Sequence, residues 1–204
     1  NLTHPLKDLA LESVERASEE ARRARSVNTI RFDPAGPRGE TTDGAGFVDL
    51  LRSLGRAPER ERVLLLGAGG AARSLALALD EAGAAVTLSA RSAPDPHDAA
   101  LPRVAWRSPE EAAALAAATV IVNATPLGAG EDPVPLALLP RQALIIDLVY
   151  EKEVTPWVAR ARAAGLTAWD GLGLLVHQAR RSLEFWLDRP VPVEPLARAV
   201  GWPR

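Results

Sequence analysis

Cysteine and methionine are both absent from the 204 residues of this chain. Without cysteine there can be neither a disulfide bond nor a thiolate metal site, which favours a cytoplasmic protein without a metal centre. No apolar run approaches the roughly 18 residues that span a bilayer, so we expect no membrane association. A net charge of −2 provides no basic surface for nucleic acid, so we expect no nucleic-acid partner.

Lysine is almost absent as well. Of the 24 basic residues only Lys7 and Lys152 are lysine, and the others are arginine. An arginine stays charged at any working pH, whereas a lysine can release and accept a proton. The two lysines that remain are therefore candidates for a role in proton transfer.

The first quarter of the chain predicts a mixture of helix and strand. Apolar residues recur at helical spacing over 8–24, which predicts one surface helix. The β-branched stretch 26–32 predicts a strand, and residues 33–39 (DPAGPRG) predict a turn. Residues 43–55 predict a helix that ends at its final glycine.

From residue 62 onwards the sequence alternates regularly between strand and helix patterns. This alternation predicts an α/β protein with a doubly wound parallel sheet. The predicted strands are 62–69, 84–91, 103–106, 118–125, 143–150 and 166–169. The predicted helices are 70–82, 108–118, 154–164, 171–188 and 193–200.

A glycine-rich loop between the first of these strands and its helix predicts a dinucleotide site. The segment GAGGAARS fits the pattern G-x-G-x-x-G/A at Gly67, Gly69 and Ala72. The first glycine permits a tight turn, the second lets the backbone approach a pyrophosphate, and Ala72 allows close packing of helix on strand. A tight turn without a ligand is the alternative interpretation of the same residues.

The end of the second strand indicates which dinucleotide is bound. A site for NAD usually has an acidic residue there, but no carboxylate occurs between Val86 and Ala93. Arg91 lies about 20 residues beyond the glycine loop, where a guanidinium would pair with a 2′-phosphate. The sequence therefore favours NADP over NAD, although Arg91 could also be an ordinary solvated arginine.

Two further candidates follow strands at the edge where open α/β sheets bind ligands. Asn123 begins the loop NATPLG, and Tyr150 is the only tyrosine in the chain. Each also has a simpler interpretation, since Asn123 could cap a turn and Tyr150 could cap the core.

Six segments together resemble the shikimate dehydrogenase family. They are NLTHPLK, SVNT, TTDGAG, GAGGAAR, NATPLG and DGLGLLVHQ, and they occur in the family's order and at about its spacing. The resemblance extends from residue 1 to about residue 188. It implies a Rossmann-type domain and the NADPH-dependent reduction of 3-dehydroshikimate to shikimate in aromatic amino acid biosynthesis. The oligomeric state stays open between a monomer and a homodimer.

The resemblance also implies roles for individual residues. It makes Lys7 the catalytic lysine and Asp43 its partner. It places the substrate at Asn1, Thr3, Asn28, Tyr150 and Gln178. It places the cofactor at Gly67, Ala68, Gly69, Gly70, Ala71, Ala90, Arg91, Ser92, Asn123, Ala124, Thr125, Leu148 and Gly171. The segment Ala90-Arg91-Ser92 lacks the amide of the family's usual NRT motif, which could weaken the preference for NADP.

The residue types suit this chemistry. Hydride delivered to a ketone carbon leaves negative charge on the oxygen, and an ammonium group supplies both a compensating charge and a proton. Asp43 would orient Lys7 and favour its charged form. Taken alone, Lys7 would be interpreted as a surface lysine and Asp43 as a helix cap.

The resemblance divides the chain into four parts. Residues 1–42 would be the end of a substrate-binding domain, 43–61 a connection, 62–170 the NADP domain, and 171–204 helices that pack back toward the first part. Because the family begins with further strands of the substrate domain, we expect this chain to be a fragment that keeps both catalytic residues.

Three alternatives remain open. The first is a quinate/shikimate dehydrogenase with relaxed cofactor choice. The second is a nucleotide-binding module that binds NADP without turnover. The third is a proteolytic fragment without a function of its own.

Overall fold

Two β-sheets organise the residues that the computed structural model describes, which are 1–3, 5–91, 101–128 and 131–204. The first sheet has the strand order β1-β3-β2. Its strands and the neighbouring helices are α1 (Leu6–Ser13), β1 (Arg16–Ala17), α2 (Glu19–Ala24), β2 (Thr29–Asp33), β3 (Gly36–Glu40) and α3 (Asp43–Ser53). Strands β2 and β3 are antiparallel, with Thr29 opposite Glu40.

Two predictions for this part of the chain were wrong. The single helix expected over 8–24 is divided into α1 and α2, because Ser18 caps a new helix by accepting a hydrogen bond from the Ala21 N–H at 3.1 Å. The turn expected over 33–39 contains β3, whose proline and glycines are depleted in most strands. The turn itself is confined to residues 34–35, and Gly36, with a φ of +96°, begins β3 directly after it.

The second sheet confirms the predicted α/β class. Its six strands are all parallel and have the order β6-β5-β4-β7-β8-β9. The elements are β4 (Arg62–Leu66), α4 (Gly70–Glu81), β5 (Ala85–Ala90), β6 (Arg103–Ala105), α5 (Pro109–Ala117), β7 (Val120–Asn123), β8 (Leu144–Asp147), α6 (Pro156–Ala163), β9 (Thr167–Trp169), α7 (Leu172–Leu187) and α8 (Glu194–Val200). Short 3₁₀ turns occupy Pro58–Arg60 and Leu136–Leu138.

Helices cover both faces of this sheet. Successive side chains of β4 point to opposite faces, so Val63 and Leu65 belong to one apolar cluster while Leu64 and Leu66 belong to the other. The first cluster includes Phe47 of α3, and the second is filled by residues of α5 and α6. This two-sided burial is typical of parallel sheets. In the part of the chain described above, none of the helices combines the length and apolarity of a membrane span.

Helix α3 is held closely between α4 and α7 by two glycines. A Cβ atom on Gly44 would lie 2.3 Å from the backbone oxygen of Ser74 on α4, and one on Gly46 would lie 2.7 Å from the backbone nitrogen of Gln178 on α7. The Gly44 N–H also donates to the Ser74 hydroxyl at 3.0 Å. These contacts fix the N-terminal end of α3, where Asp43 is the first residue.

We expect the substitution Gly44→Ala to lower the free energy of unfolding by about 1–3 kcal/mol, because the added methyl group meets backbone that cannot move away easily. Helix propensity alone predicts the opposite sign, since alanine is favoured over glycine by about 1 kcal/mol. The measurement is chemical unfolding, with the exposed neighbouring substitution Ala45→Gly as control. A stabilised Gly44→Ala protein would contradict the close packing of α3 on α4.

Candidate active site

An ion pair joins the two predicted catalytic residues. Lys7 lies on α1, and its Nζ atom is 2.5 Å from Oδ2 of Asp43. The two side chains are only 17% and 7% exposed, so the pair is largely shielded from solvent. Asp43 occupies the first turn of α3, where the helix dipole favours negative charge. The structure therefore brings together two residues that are 36 positions apart in the sequence.

Asn28 holds the other oxygen of the same carboxylate. Its Nδ2 atom donates to Asp43 Oδ1 at 2.8 Å and to the Thr42 hydroxyl at 3.0 Å. Its Oδ1 atom accepts from the Thr42 N–H at 3.0 Å. The backbone N–H of Val27 donates to the carbonyl of Lys7, which ties α1 to the segment that contains Asn28. As a result, Oδ2 of Asp43 contacts Lys7, and Oδ1 accepts the bond from Asn28 that fixes the orientation of the carboxylate.

The predicted substrate residues divide into two groups. Asn1, Asn28 and Gln178 lie together: the Asn1 amide donates to Gln178 Oε1 at 3.5 Å, and Thr42 donates to the same oxygen at 3.4 Å. Thr3 is exposed, and its carbonyl accepts the Leu6 N–H that begins α1. Tyr150, which is 50% exposed, lies instead on the loop after β8, beside Gly171.

The glycine loop has the conformation that the nucleotide pattern requires. Gly67 has a φ of +115°, which a residue with a side chain rarely adopts, and its N–H donates to the Ser89 carbonyl of β5. A Cβ atom on Gly69 would meet nothing within 4 Å, so the backbone at the start of α4 faces open space. The free N–H groups of this helix end, from Gly70 onwards, can donate hydrogen bonds to phosphate oxygens.

The predicted 2′-phosphate residues follow β5. Ala90 is buried as the last residue of the strand, and its carbonyl accepts the Trp106 N–H at 3.1 Å. Arg91, the next residue, is exposed. Ser92 lies outside the described residues. The arginine is thus at the carboxyl end of the strand next to β4, as the sequence predicted.

The side chain of Asn123 is used to shape its own loop. It is fully buried, accepts from the N–H and hydroxyl of Thr125, and donates to the Leu127 carbonyl at 2.6 Å and to Asp147 at 2.9 Å. This is the behaviour of a turn-capping asparagine. The residues that follow it, Ala124 and Thr125, are thereby placed beside Gly67, whose Cβ position is 3.0 Å from the Ala124 carbonyl.

Asp147 completes this support from β8. Burial raises the pKa of its carboxyl group, and hydrogen bonds from Thr155, Asn123 and the Val149 N–H oppose that rise. The sequence analysis missed Asp147, because an aspartate at the end of a strand carries no distinguishing pattern. Its role in the structure is to hold the loops after β7 and β8 together.

Leu148 and Gly171 meet at the same edge of the sheet. The Leu148 N–H donates to the Asn123 carbonyl at 2.9 Å, and the Gly171 N–H donates to the Val149 carbonyl at 3.0 Å. A Cβ atom on Gly171 would lie 2.2 Å from the Leu148 oxygen, so the contact requires glycine. These residues lie at the carboxyl ends of the strands, where parallel α/β sheets bind ligands. Among the described residues, no cluster of acidic and histidine side chains could hold a metal ion.

Comparison with known proteins finds relatives along nearly the whole chain. The model of the shikimate 5′-dehydrogenase C-terminal domain matches residues 171–200. The shikimate dehydrogenase (NADP(+)) of Acidiphilium cryptum is 44% identical over 211 residues, which cover 98% of this chain and 75% of that protein. The enzyme of the same name from Rhodospirillum rubrum is 40% identical, with 98% and 76% covered. The chain belongs to the shikimate dehydrogenase family.

Solved structures agree with this membership. The shikimate 5-dehydrogenase of Thermus thermophilus, solved in complex with NADP(H) and shikimate, is 32% identical with a TM-score of 0.84, and the match covers 98% of this chain and 77% of that one. The 5-ketofructose reductase of a Gluconobacter strain is 30% identical with a TM-score of 0.80, covering 98% and 77%. The family resemblance and the fold class predicted from the sequence are therefore confirmed.

Ser182 of α7 is a site residue that the sequence analysis missed. Its hydroxyl is buried at the centre of a polar cluster, 2.7 Å from the Thr29 hydroxyl and 3.1 Å from the Thr42 hydroxyl. It donates to the carbonyl of Gln178 and accepts from the Asn1 amide at 3.2 Å. Ser182 thus connects α7 to Thr42 and, through Thr42, to Asn28. A helical serine of this kind gives no sequence signal of its own.

We expect Ser182→Ala to lower the free energy of unfolding by about 1–3 kcal/mol, because it leaves buried hydroxyl groups without one of their partners. Thermal and chemical unfolding measure the loss. The control is Ser13→Ala, since the Ser13 hydroxyl bonds only to its own helix at an exposed position. Equal effects of the two substitutions would contradict a central role for Ser182.

Proposed function

We propose that the chain carries out the reversible, NADPH-dependent reduction of 3-dehydroshikimate to shikimate in aromatic amino acid biosynthesis. The observation that carries the proposal is the shielded pair of Lys7 and Asp43, held by Asn28 beside a cluster of amides and hydroxyls. The relatives named for this reaction support the same assignment. The chain spans about three quarters of their length.

The catalytic pair is connected to the nucleotide loop. Arg73 of α4 donates to the carbonyl of Ala68 in that loop and to the carboxylate of Asp8, the residue after Lys7. It also donates to the carbonyl of Ala24 at 2.9 Å. One side chain therefore joins the phosphate end of the cofactor site to the helix that carries the proposed proton donor, as a reaction between the two sites requires.

The cofactor and the residues of the chain would have separate roles in this reaction. NADPH, when bound, supplies the hydride. Lys7 would donate a proton to the ketone oxygen as negative charge develops there, and would accept it back in the reverse direction. Asp43 would orient the ammonium group of Lys7, while Asn28 fixes the Asp43 carboxylate. Thr3, Asn28 and Gln178 would hold the hydroxyls and carboxylate of the substrate, with Asn1 also in contact with it. Tyr150 would lie beside the substrate carboxylate.

The cofactor would lie along the carboxyl edge of the second sheet. The backbone from Gly67 to Ala71 would bind the pyrophosphate, and Ala90, Arg91 and Ser92 the 2′-phosphate. Asn123, Ala124 and Thr125, with Leu148 and Gly171, would line the nicotinamide end, where the buried side chain of Asn123 acts through the loop that it shapes. A cytoplasmic location and a homodimeric assembly both stay predictions.

A second ketone substrate is favoured by one comparison. The Gluconobacter neighbour named 5-ketofructose reductase resembles this chain about as closely as several of the shikimate dehydrogenases do. Its name describes reduction of a polyhydroxylated ketone without a carboxylate. Assays with 3-dehydroshikimate and with 5-ketofructose in parallel therefore distinguish the two substrates, and binding of NADPH without turnover of either would favour the binding-module alternative.

We expect Arg91→Ala to weaken NADPH binding about tenfold or more while leaving NADH binding unchanged. A hydrogen bond to a charged group contributes roughly 1.5–3 kcal/mol, and about 1.4 kcal/mol corresponds to a factor of ten. The dissociation constants can be measured by nucleotide fluorescence, with the exposed Arg189→Ala as control. An equal loss for both cofactors would show that Arg91 does not read the 2′-phosphate.

We expect Lys7→Ala to lower the catalytic rate by about 10²–10⁴-fold, the usual effect of removing a positioned acid or base, with little change in NADPH affinity. Lys7→Arg should fail nearly as badly, because arginine keeps the charge but does not release a proton. Asp43→Asn should give an intermediate rate.

The chain provides a matched control in its other lysine. Lys152 is exposed, so Lys152→Ala and Lys152→Arg should both keep the wild-type rate. If Lys7→Arg retained that rate as well, Lys7 would serve only to attract the substrate, and the proton-donor assignment would be wrong.

A further inference from the structure

The side chain of Arg204 forms hydrogen bonds with two loops of the second sheet, the loop after β8 and the loop after β9. Its guanidinium donates to Asp170 Oδ2 from Nε at 2.9 Å and from Nη2 at 2.6 Å. It also donates to three successive backbone carbonyls after β8, at distances of 2.6–3.1 Å. These belong to Glu151, Lys152 and Glu153. Arg162 in turn donates to the backbone carbonyl of Arg204 at 2.8 Å, which anchors the arginine itself.

Both loops lead directly to the proposed nicotinamide end. The three carbonyls follow Tyr150, and Asp170 precedes Gly171. The second oxygen of Asp170 accepts the Leu172 N–H at the start of α7. Between these points the Gly171 N–H donates to Val149. Arg204 and Asp170 therefore join the segment after Leu148 to the segment around Gly171, and both of these residues would line the nicotinamide.

The chemistry of the contact requires an arginine. Asp170 is only 2% exposed, and a buried carboxylate needs a partner with good geometry. The planar guanidinium has five donors in a fixed arrangement, so it can bind a carboxylate and several carbonyls at once. A lysine ammonium could replace the charge but has only three donors for the four groups that Arg204 contacts.

We propose that Arg204 is a positioning residue, which fixes the loop that begins at Leu148 against Gly171 and so determines how tightly the nicotinamide half of the cofactor is held. The inference rests on the proposed function, because it takes these residues as the lining of that half. It adds a role for a residue beyond the matched range 171–200 and distant in sequence from the glycine loop.

Two ligands distinguish positioning from general stability. NADPH occupies both halves of the site, whereas adenosine 2′,5′-bisphosphate carries only the 2′-phosphate half. We expect Arg204→Ala to weaken NADPH binding about three- to tenfold, less than the loss of a direct charge-assisted bond to the cofactor because Arg204 acts through the loop, and to leave bisphosphate binding unchanged. Loss of folded protein would lower the binding of both ligands equally, so their ratio reports positioning alone.

Arg204→Lys and Arg198→Ala complete the experiment. The lysine variant keeps a cation for Asp170 and therefore remains informative if Arg204→Ala unfolds; it should show the same selective loss of NADPH affinity in weaker form. Arg198 is exposed on α8, so Arg198→Ala should bind both ligands as the wild type does. Unchanged NADPH affinity in both Arg204 variants, or equal weakening of the two ligands in the folded variants, would overturn the inference. A wild type that bound neither ligand would instead overturn the proposed NADP site.

Discussion

The ion pair between Lys7 and Asp43 is the interaction on which the arrangement of the site depends. Two charges withdrawn from water lose hydration, and only good geometry with additional hydrogen bonds offsets that cost. Here the additional hydrogen bond comes from Asn28, and the helix dipole at the start of α3 further favours the negative charge of Asp43. The pair therefore constrains the placement of α1, the segment before β2, and α3 at the same time.

The packing of α3 extends this constraint to the rest of the molecule. Gly44 lets α3 approach α4, whose first turn forms the nucleotide loop, and Gly46 lets it approach α7, which carries Gln178 and Ser182. Asp43, the loop before α4 and Gln178 thus belong to α3, α4 and α7, and α3 contacts both of the other helices. A displacement of α3 would therefore move Asp43 relative to both the glycine loop and Gln178.

The sequence predicted those features that depend on local pattern. The parallel sheet followed from alternating apolar segments, and Lys7 was conspicuous because lysine is so rare in the chain. Features that depend on tertiary contacts could not be predicted. Ser182 acquires its role only when α7 packs beside Thr29 and Thr42. Strand β3 could not be predicted from the sequence because its proline and glycines are typical of turns. The helix break at Ser18 could not be predicted because apolar residues continue at helical spacing across it.

The most direct test of the account is whether shikimate binds at Lys7. Because the chain contains only two lysines, labelling with lysine that carries ¹³C at Cε gives two NMR signals, which Lys152→Arg assigns. Adding shikimate with NADP⁺ should shift the signal of Lys7 and leave that of Lys152 unchanged, whether or not turnover follows. If the Lys7 signal stayed in place at saturating ligand, the proposed catalytic site would be wrong.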